Sequence, residues 1–369
     1  MTGDELHQVM TGPAIEKVDT ERSYVTLLDV ISDAVAKVRW RLNAETLHSS
    51  LKGSQWRSQF QLPAVGLGTG RLWPAESIGP AIHSFLVMGG RHLDTAAGYW
   101  SQQVVANACR VSGVAAKDIV ITTKIWPMGY SETMEAANEA LRQIDGAGQI
   151  VILLHVPGAT PQGKPKDYGG QKLTLPPASC QDPDRPLSWR KCRLESFLAL
   201  AMLREAGAVS GIGVSNFVKR HLEELRRDLK SKRASETRGL LRSWPPDVVQ
   251  HEVHLLRREE ELLKYCRLWN ISVVSYGTLG SPEAKAKLLE HPSVRAAADM
   301  EALGPAQVLM KWALMKGLHL IPTTSNSKHQ RQLLEVQHLP ALRRDTLALL
   351  ESVPEWDSAI YHPYLDQIQ

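Results

Sequence analysis

Eight short apolar runs recur along the chain, and longer helix-like stretches separate them. The runs cover residues 64–68, 91–94, 119–122, 150–154, 211–214, 247–250, 271–274 and 318–321. Most are continuous in valine, isoleucine and leucine, which is typical of parallel strands that are buried on both faces. Strands that alternate with helices are joined by crossovers, so eight such units predict an α/β fold, a closed (β/α)8 TIM barrel.

Three segments lie outside this alternation. Residues 1–55 precede the first strand and form an N-terminal extension of unknown role. Residues 56–369 are expected to form a single barrel domain with loop insertions. Within them, a stretch rich in proline and glycine predicts a long loop over 157–190. Eight lysines and arginines in 219–238 indicate a solvated helix and loop, with a polyanion-binding patch as the alternative.

Two of the connecting helices are clear from their sequence. Apolar side chains recur at helical spacing in 131–144, and Ser131 is expected to cap that helix, with Glu132 in its first turn. A second helix is predicted over 305–316. Each is expected to be a crossover between consecutive parallel strands.

Charge and composition exclude several partners. The chain has 43 Lys and Arg against 39 Asp and Glu, a net charge of +4, whereas a dedicated nucleic-acid binder concentrates basic residues more heavily. No stretch approaches the roughly 18 apolar residues of a membrane span, and no secretion signal is visible. The four cysteines are scattered, and their spacing is typical neither of metal ligands nor of a redox motif; they are Cys109, Cys180, Cys192 and Cys266. We expect a cytoplasmic protein in a reducing setting, without nucleic-acid or membrane partners.

Polar side chains recur where the predicted strands end. Asp94, Lys124 and His155 stand at or just after the second, third and fourth strands. Further along the chain the set continues with Ser215, Asn216, Gln250 and Tyr276. The carboxyl ends of barrel strands converge at one mouth, where the active sites of such barrels lie. One polar residue at a strand end is usually loop solvation, but this ordered set predicts a functional site.

The same segments resemble a known family. Residues 90–99, which read GRHLDTAAGY, look like the signature segment of the aldo-keto reductases. Similar blocks follow in the family's order at 121–126, 153–157, 213–217, 249–254, 275–280 and 305–322. The resemblance implies reversible reduction of an aldehyde or ketone to an alcohol by hydride transfer from NAD(P)H, without metal or flavin.

The resemblance also assigns catalytic roles. The family's tetrad falls on Asp94, Tyr99, Lys124 and His155, with Tyr99 as the proton donor. The need for a donor stands independently, because hydride addition builds negative charge on the carbonyl oxygen. A phenol has a pKa of about 10, and the nearby ammonium of Lys124 is expected to lower it toward neutrality. Asp94 would hold the lysine, and His155 would orient the carbonyl.

The family pattern places the cofactor along the later strands. The nicotinamide carboxamide would be held by Ser215, Asn216 and Gln250. Tyr276 would stack on the nicotinamide ring. The pyrophosphate would be wrapped by the segment that includes Gly277, Leu279 and Ser281. Taken alone, Ser215 or Asn216 could instead be a helix N-cap and Tyr276 a core aromatic.

The chain departs from the family where the 2′-phosphate of NADP would bind. The family commonly has lysine and, later, arginine there, whereas this chain has Thr323 and His329. Hydrogen bonds to a phosphate could still come from Thr323, Thr324, Ser325 and Asn326, and charge from Lys328 or Arg331. Histidine does not replace the paired hydrogen bonds of arginine. NADP is the expected cofactor, with NAD or dual use as open alternatives.

The substrate is expected to be a small carbonyl compound whose identity the sequence leaves open. Candidate apolar walls of its site are Trp73, Trp100 and Trp126, with core packing as the alternative. Val156 stands where the family often has tryptophan, which would widen the pocket. The 157–190 loop begins at the mouth, where it could act as a lid. A monomer is expected.

Other interpretations compete with this one. Gly66, Gly68 and Gly70 resemble a dinucleotide-binding fingerprint but lack its third glycine at the right spacing and its helix start. Tyr168 and Lys172 match a Tyr-x-x-x-Lys pair, which needs a helix that the paired glycines between them disfavour. The alternative function is a catalytically weak nucleotide-binding barrel with a regulatory or interaction role, because fold alone does not establish catalysis.

Overall fold

Eight parallel strands follow one another in this computed structural model, which describes residues 61–72, 74–159, 175–231, 244–280, 282–355 and 368. The strands are β1 (Leu67–Gly68), β2 (His92–Asp94), β3 (Val120–Ile125), β4 (Gln149–Leu154), β5 (Gly211–Ser215), β6 (Val248–Glu252), β7 (Ser272–Tyr276) and β8 (Leu318–Leu320). Each pairs in parallel with the next. Val65 bridges Leu320, and the Gly66 amide donates to the Leu320 carbonyl at 2.7 Å. The sheet is nearly closed, and the predicted (β/α)8 barrel is confirmed.

Helices connect the strands. They are α1 (Ile78–Val87), α2 (Gln102–Val111), α3 (Tyr130–Ile144), α4 (Arg190–Glu205), α5 (Lys219–Lys230), α6 (Glu260–Leu268), α7 (Pro282–Leu289), α8 (Pro292–Glu301), α9 (Pro305–Met315), α10 (Ser327–Glu335) and α11 (Arg344–Glu351). Short 3-10 helices cover Ala75–Ser77, Ala97–Tyr99, Ala116–Asp118, Ala178–Cys180 and Val336–His338. The helix predicted over 305–316 is α9. Among the described residues, no helix is both long and apolar enough to cross a membrane.

Helix α3 begins one residue before the predicted start, and its cap differs from the prediction. The N-cap is Gly129, whose φ of +94° lies in the left-handed region that glycine tolerates. The Gly129 amide donates to Oγ of Ser196, on α4, at 3.0 Å. The prediction of Ser131 as the cap was wrong, because the helix already begins at Tyr130 and Ser131 therefore lies inside its first turn.

Both faces of the strands are buried. Inside the barrel, Val120, Val151, Leu153, Val248 and Val274 pack against one another. The intervening strand residues pack outward against the helices in the main apolar core, and they include Ile121, Ile152, Leu154, Ile212 and Val249. This two-sided burial explains why the strands read as continuous apolar runs rather than as alternating ones.

Cys180 and Cys192 form a disulfide. Their Cα atoms lie 4.9 Å apart, and both side chains are buried beside Trp189 and Ile368. The bond joins the 3-10 helix at the end of the predicted mouth loop to the first turn of α4. The spacing of the four cysteines did not predict this pair, because the fold of the loop, and not a recognisable motif, brings the two sulfurs together.

Some predictions lie outside the described residues. They include the extension at 1–55, the Tyr168 and Lys172 pair, and the later part of the basic run in 219–238, whose first part is α5. The domain boundary between residues 55 and 56 stays a prediction.

The close contact between β5 and β6 generates a stability prediction. A β-carbon on Gly213 would lie 2.1 Å from the carbonyl oxygen of Val248, so the backbone would have to shift. We expect Gly213→Ala to lower the free energy of unfolding by about 1–3 kcal/mol, measured by urea unfolding. Gly79→Ala on α1 is the matched control, because its nearest neighbour lies 3.8 Å away and alanine favours a helix by up to ~1 kcal/mol. Equal losses in the two variants would contradict the packing argument.

Candidate active site

A buried ion pair joins the ends of β2 and β3. Nζ of Lys124 donates to Oδ1 of Asp94 at 2.6 Å and to the carbonyl of Thr95 at 2.9 Å. The side chains of Lys124 and Asp94 are only 1% and 4% exposed. Burial alone would lower the pKa of Lys124, but the charge of Asp94 and the interaction with Tyr99 outweigh it, so the pKa lies above its usual value. Lys124 therefore carries its positive charge at neutral pH.

Gln250 holds the other oxygen of the Asp94 carboxylate. Gln250 lies on β6, on another part of the barrel wall, and its Nε2 donates to Oδ2 of Asp94 at 2.7 Å. The sequence assigned Gln250 only to the cofactor, and this contact joins residues 156 positions apart in the chain. No local pattern could have predicted it. An amide carries two N–H groups and a carbonyl oxygen, so Gln250 retains hydrogen-bonding capacity for a carboxamide.

Tyr99 and His155 lie beside this ion pair. Nζ of Lys124 is 5.1 Å from the centroid of the Tyr99 ring. The imidazole of His155 packs edge-on against the phenol, with 5.8 Å between ring centroids and 77° between planes. The structure therefore brings together all four residues of the predicted tetrad.

The pKa of Tyr99 is higher than expected from the sequence. Burial raises the pKa of the phenol above its usual value, while the charge of Lys124 acts in the opposite direction. Asp94 adds to the increase, and Arg71 opposes it more weakly. The expectation that the lysine lowers this pKa toward neutrality was therefore wrong here, because the loss of water around the phenol outweighs the ammonium. A phenol of this kind stays protonated at neutral pH and can donate its proton.

Three hydroxyl groups missed by the sequence analysis hold the segment around Tyr99. Oγ1 of Thr69 donates to the carbonyl of Asp94 at 3.0 Å. Ser101 lies 2.9 Å from the hydroxyl of Thr95 and 3.4 Å from that of Thr69, oxygen to oxygen. All three hydroxyl residues are buried. They connect β1, β2 and the start of α2, and only the fold places them together.

The residues assigned to the carboxamide of a nicotinamide form one connected group. Nδ2 of Asn216 donates to the carbonyl of His155 at 2.8 Å and to Oγ of Ser215 at 3.2 Å. Oδ1 of Asn216 accepts a hydrogen bond from the hydroxyl of Tyr276 at 2.6 Å. Neither Ser215 nor Asn216 caps a helix, since the N-cap of α5 is Val218. Tyr276 packs against the apolar cluster inside the barrel but is only half-buried, so part of its side chain stays accessible.

The segment after β7, which the resemblance assigns to the pyrophosphate, makes a tight turn against α7. Gly277 and Gly280 have φ values of +62° and +82°, which favour glycine. A β-carbon on Gly280 would lie 2.8 Å from the backbone nitrogen of Lys285, in α7. Leu279 packs against the main core. Ser281 lies outside the described residues.

The residues proposed for the 2′-phosphate form a polar strip between β8 and α10. The hydroxyl of Thr323 donates to the carbonyl of Gly70 at 3.3 Å. Asn326 is the N-cap of α10, and its Oδ1 accepts from the amides of Lys328 and His329. Thr323, Ser325 and Asn326 are exposed, and Thr324 is half-buried. An exposed strip at a helix N-terminus suits an anion.

Two of the three tryptophans that were predicted to form walls of the substrate site line a cavity. Trp100 is 78% exposed and Trp126 is buried, and both line a cavity of about 410 Å³ with Met128. The described lining of this cavity includes neither Tyr99 nor His155. Trp73 lies outside the described residues. Their role as substrate walls stays a prediction.

Comparison with known proteins gives relatives for this barrel. The chain is 29% identical to 9,11-endoperoxide prostaglandin H2 reductase of Trypanosoma cruzi over 287 residues. This alignment covers 77% of this chain and 82% of that protein. It is 28% identical to glycerol 2-dehydrogenase (NADP(+)) of Saccharomyces cerevisiae over 286 residues, and this alignment covers 76% of this chain and 85% of that protein.

A solved structure shares the same architecture. MGS-M4, an aldo-keto reductase enzyme from a Medee basin deep-sea metagenome library, is similar with a TM-score of 0.64 and 25% identity, over 82% of this chain and 98% of that one. The sequence profile described as the Aldo/keto reductase family matches residues 64–355, a range that contains the whole tetrad. The chain therefore belongs to the aldo/keto reductase family and is an oxidoreductase that acts on carbonyl groups.

Proposed function

We propose that this protein reduces an aldehyde or ketone to an alcohol, reversibly, with hydride from NADPH and a proton from Tyr99. The observation that carries the proposal is the buried group in which Lys124 contacts both Asp94 and Tyr99. A desolvated lysine with a carboxylate partner is costly to bury, and such groups are concentrated at functional sites. The position of His155 against the phenol adds a second polar group at the same place.

The chemistry follows from the charges in this group. A bound nicotinamide supplies the hydride that adds to the carbonyl carbon. Tyr99 gives its proton to the carbonyl oxygen as negative charge develops there. Lys124 stabilises the phenolate that remains, and Asp94 keeps the lysine in place. His155 orients the carbonyl oxygen by a hydrogen bond. In the reverse direction the phenolate accepts the proton of the alcohol.

The cofactor proposal rests on residues that fit a nicotinamide nucleotide. Gln250 and Ser215 offer an amide and a hydroxyl beside the tetrad, and Tyr276 offers a half-buried aromatic ring. NADP is supported by the yeast relative, whose name includes that cofactor. NAD is the second candidate, because Thr323 brings no charge to the strip beside α10.

Removal of the Tyr99 hydroxyl tests the catalytic assignment. We expect Tyr99→Phe to slow NADPH-dependent reduction by roughly 10²- to 10⁴-fold, the contribution of a positioned general acid. The dissociation constant of NADPH should change by less than about threefold, because the hydroxyl acts on the carbonyl and not on the nucleotide. Both quantities are measured by NADPH absorbance and fluorescence, with a panel of aldehydes, ketones and sugars.

Tyr130→Phe is the matched control, since Tyr130 is another partly buried phenol, at the start of α3. It should retain wild-type turnover. Equal turnover of Tyr99→Phe and the wild type would contradict the assignment. Tight NADPH binding without turnover of any carbonyl would instead favour the regulatory alternative.

The raised pKa of Tyr99 predicts the pH dependence. The protonated phenol is the proposed donor, and burial raises its pKa above the usual value of a phenol, so it is available throughout the neutral range. We expect kcat/KM for reduction to stay level from about pH 6 to 9 and to fall only at higher pH. Deuterated NADPH should give a primary isotope effect across this range, which verifies that hydride transfer is being observed. An alkaline limb with a midpoint below about pH 9 would contradict the prediction.

The missing cation near the 2′-phosphate generates a cofactor prediction. We expect Thr323→Lys to tighten NADPH binding about tenfold, since a charged hydrogen bond is worth roughly 1.5–3 kcal/mol before screening. NADH binding should be unchanged, because NADH lacks that phosphate. Thr323→Met is the matched control for side-chain length without charge. Fluorescence titration measures the six affinities of the wild type and the two variants for NADPH and NADH, and equal gains for NADH and NADPH would place the 2′-phosphate elsewhere.

A further inference from the structure

Gln102 is a buried glutamine that the proposed mechanism does not use. It is the first residue of α2, and it is only 2% exposed. Burial of a side-chain amide is unfavourable unless its donors and its acceptor have partners. The partners of Gln102 therefore indicate which parts of the barrel this side chain holds together.

The carbonyl oxygen of the side chain is bonded to the strand that carries Lys124. The hydroxyl of Thr123, on β3, donates to Oε1 of Gln102. Thr123 is buried and immediately precedes Lys124. Successive side chains of a strand point to opposite faces, so Thr123 lies on the outer face of the barrel wall and Lys124 on the inner face. The hydrogen bond therefore fixes the first turn of α2 against β3 at the level of the lysine.

The amide nitrogen of Gln102 extends this connection to a second helix. Its Nε2 donates to Oε1 of Gln143, on α3, at 2.6 Å. Nε2 of Gln143 donates in turn to Oε1 of Glu139 at 2.6 Å, and Glu139 pairs with Arg142 on the exposed face of α3. A chain of hydrogen bonds thus runs from the buried strand to the surface. Gln102 is the member of this chain that joins the strand to α3.

The segment between Tyr99 and Gln102 is short and has close neighbours. Only Trp100 and Ser101 separate the two residues. Ser101 is itself buried, and its hydroxyl is hydrogen-bonded. Next to the phenol, a β-carbon on Gly70 would lie 3.0 Å from two carbon atoms of the Tyr99 ring. A displacement of Gln102 would therefore be transmitted to the phenol, because so short a segment offers little slack.

We propose that Gln102 is a positioning residue, whose side chain sets the separation between the Tyr99 hydroxyl and the Lys124 ammonium by joining α2 to β3. This inference rests on the function proposed above, in which Tyr99 gives its proton and Lys124 stabilises the phenolate. Gln102 acts through Thr123 and through the backbone of α2, and not by contact with the substrate. Its effect is large because a misplacement of about 1 Å at a reacting group can slow a reaction roughly 10²-fold.

Gln102→Leu tests the proposal, because it removes both hydrogen bonds and keeps a side chain of similar size. We expect the rate of hydride transfer to fall roughly 10- to 100-fold, since the phenol is no longer held at the lysine. The dissociation constant of NADPH should change by less than about threefold, because these hydrogen bonds involve no nucleotide contact. Single-turnover oxidation of NADPH with a carbonyl compound from the panel measures the rate, and fluorescence titration measures the affinity.

The Tyr99→Phe background separates positioning from a general loss of structure. With no hydroxyl to position, the addition of Gln102→Leu to Tyr99→Phe should slow the residual reaction by less than about twofold. A structural defect would slow both backgrounds by the same factor, and that result would overturn the proposal. Wild-type turnover of Tyr99→Phe alone would overturn it as well, but the failure would then lie in the assignment of the proton donor and not in Gln102.

Thr123→Val is the second variant, and it keeps the proposal testable if Gln102→Leu does not fold. Valine favours a strand and differs from threonine chiefly by the loss of the hydroxyl, here the donor to Gln102. Its rate should lie within about threefold of that of Gln102→Leu, because both variants break the same hydrogen bond. A wild-type rate in either variant would contradict the proposal.

Gln307→Leu is the matched control. Gln307 is a half-buried glutamine on α9, and its Oε1 accepts a hydrogen bond from the Gly304 amide at 3.1 Å. The substitution therefore also removes a hydrogen bond of a glutamine at the start of a helix. It should turn over NADPH as the wild type does, and a loss equal to that of Gln102→Leu would overturn the assignment to Gln102.

Discussion

The ion pair between Lys124 and Asp94 is the interaction on which the rest of the site depends. Two charges removed from water are tolerated only when their hydrogen-bonding groups have partners, and removal of one member of such a pair typically costs about 3–5 kcal/mol. Here the lysine reaches Asp94 and the Thr95 carbonyl, and Gln250 binds the second carboxylate oxygen. Those partners come from β2, β3 and β6. The site therefore exists only once most of the barrel has closed.

This dependence also explains the behaviour of Tyr99. The same burial that keeps water away from the ion pair raises the pKa of the phenol, and the ammonium only partly reverses it. The resting phenol therefore keeps its proton at neutral pH. In the reaction that we propose, Tyr99 would give up this proton only as negative charge develops on a bound oxygen, and the positive charge of Lys124 would then stabilise the phenolate.

The sequence predicted the barrel well because burial on both faces leaves a strong local signal. All eight apolar runs correspond to strands, and the polar residues at their ends predicted that Asp94, Lys124 and His155 lie together, whereas Tyr99 was assigned through the resemblance to the family. Features that depend on long-range contact were not predictable. The Gln250 contact, the hydrogen bond from the Gly129 amide to Ser196 and the pairing of Cys180 with Cys192 each join two segments whose own sequences give no sign of the contact. The sign of the Tyr99 shift was missed for the same reason, since burial is a property of the fold.

The disulfide has a topological consequence for the rim of the barrel. Residues 180–192 form a covalent ring. A protease that cuts one peptide bond within this ring would leave a chain whose two pieces stay joined through sulfur. Such a nicked molecule would migrate as one species until a thiol is added. This segment is thus attached to the barrel at both ends, even when its backbone is broken.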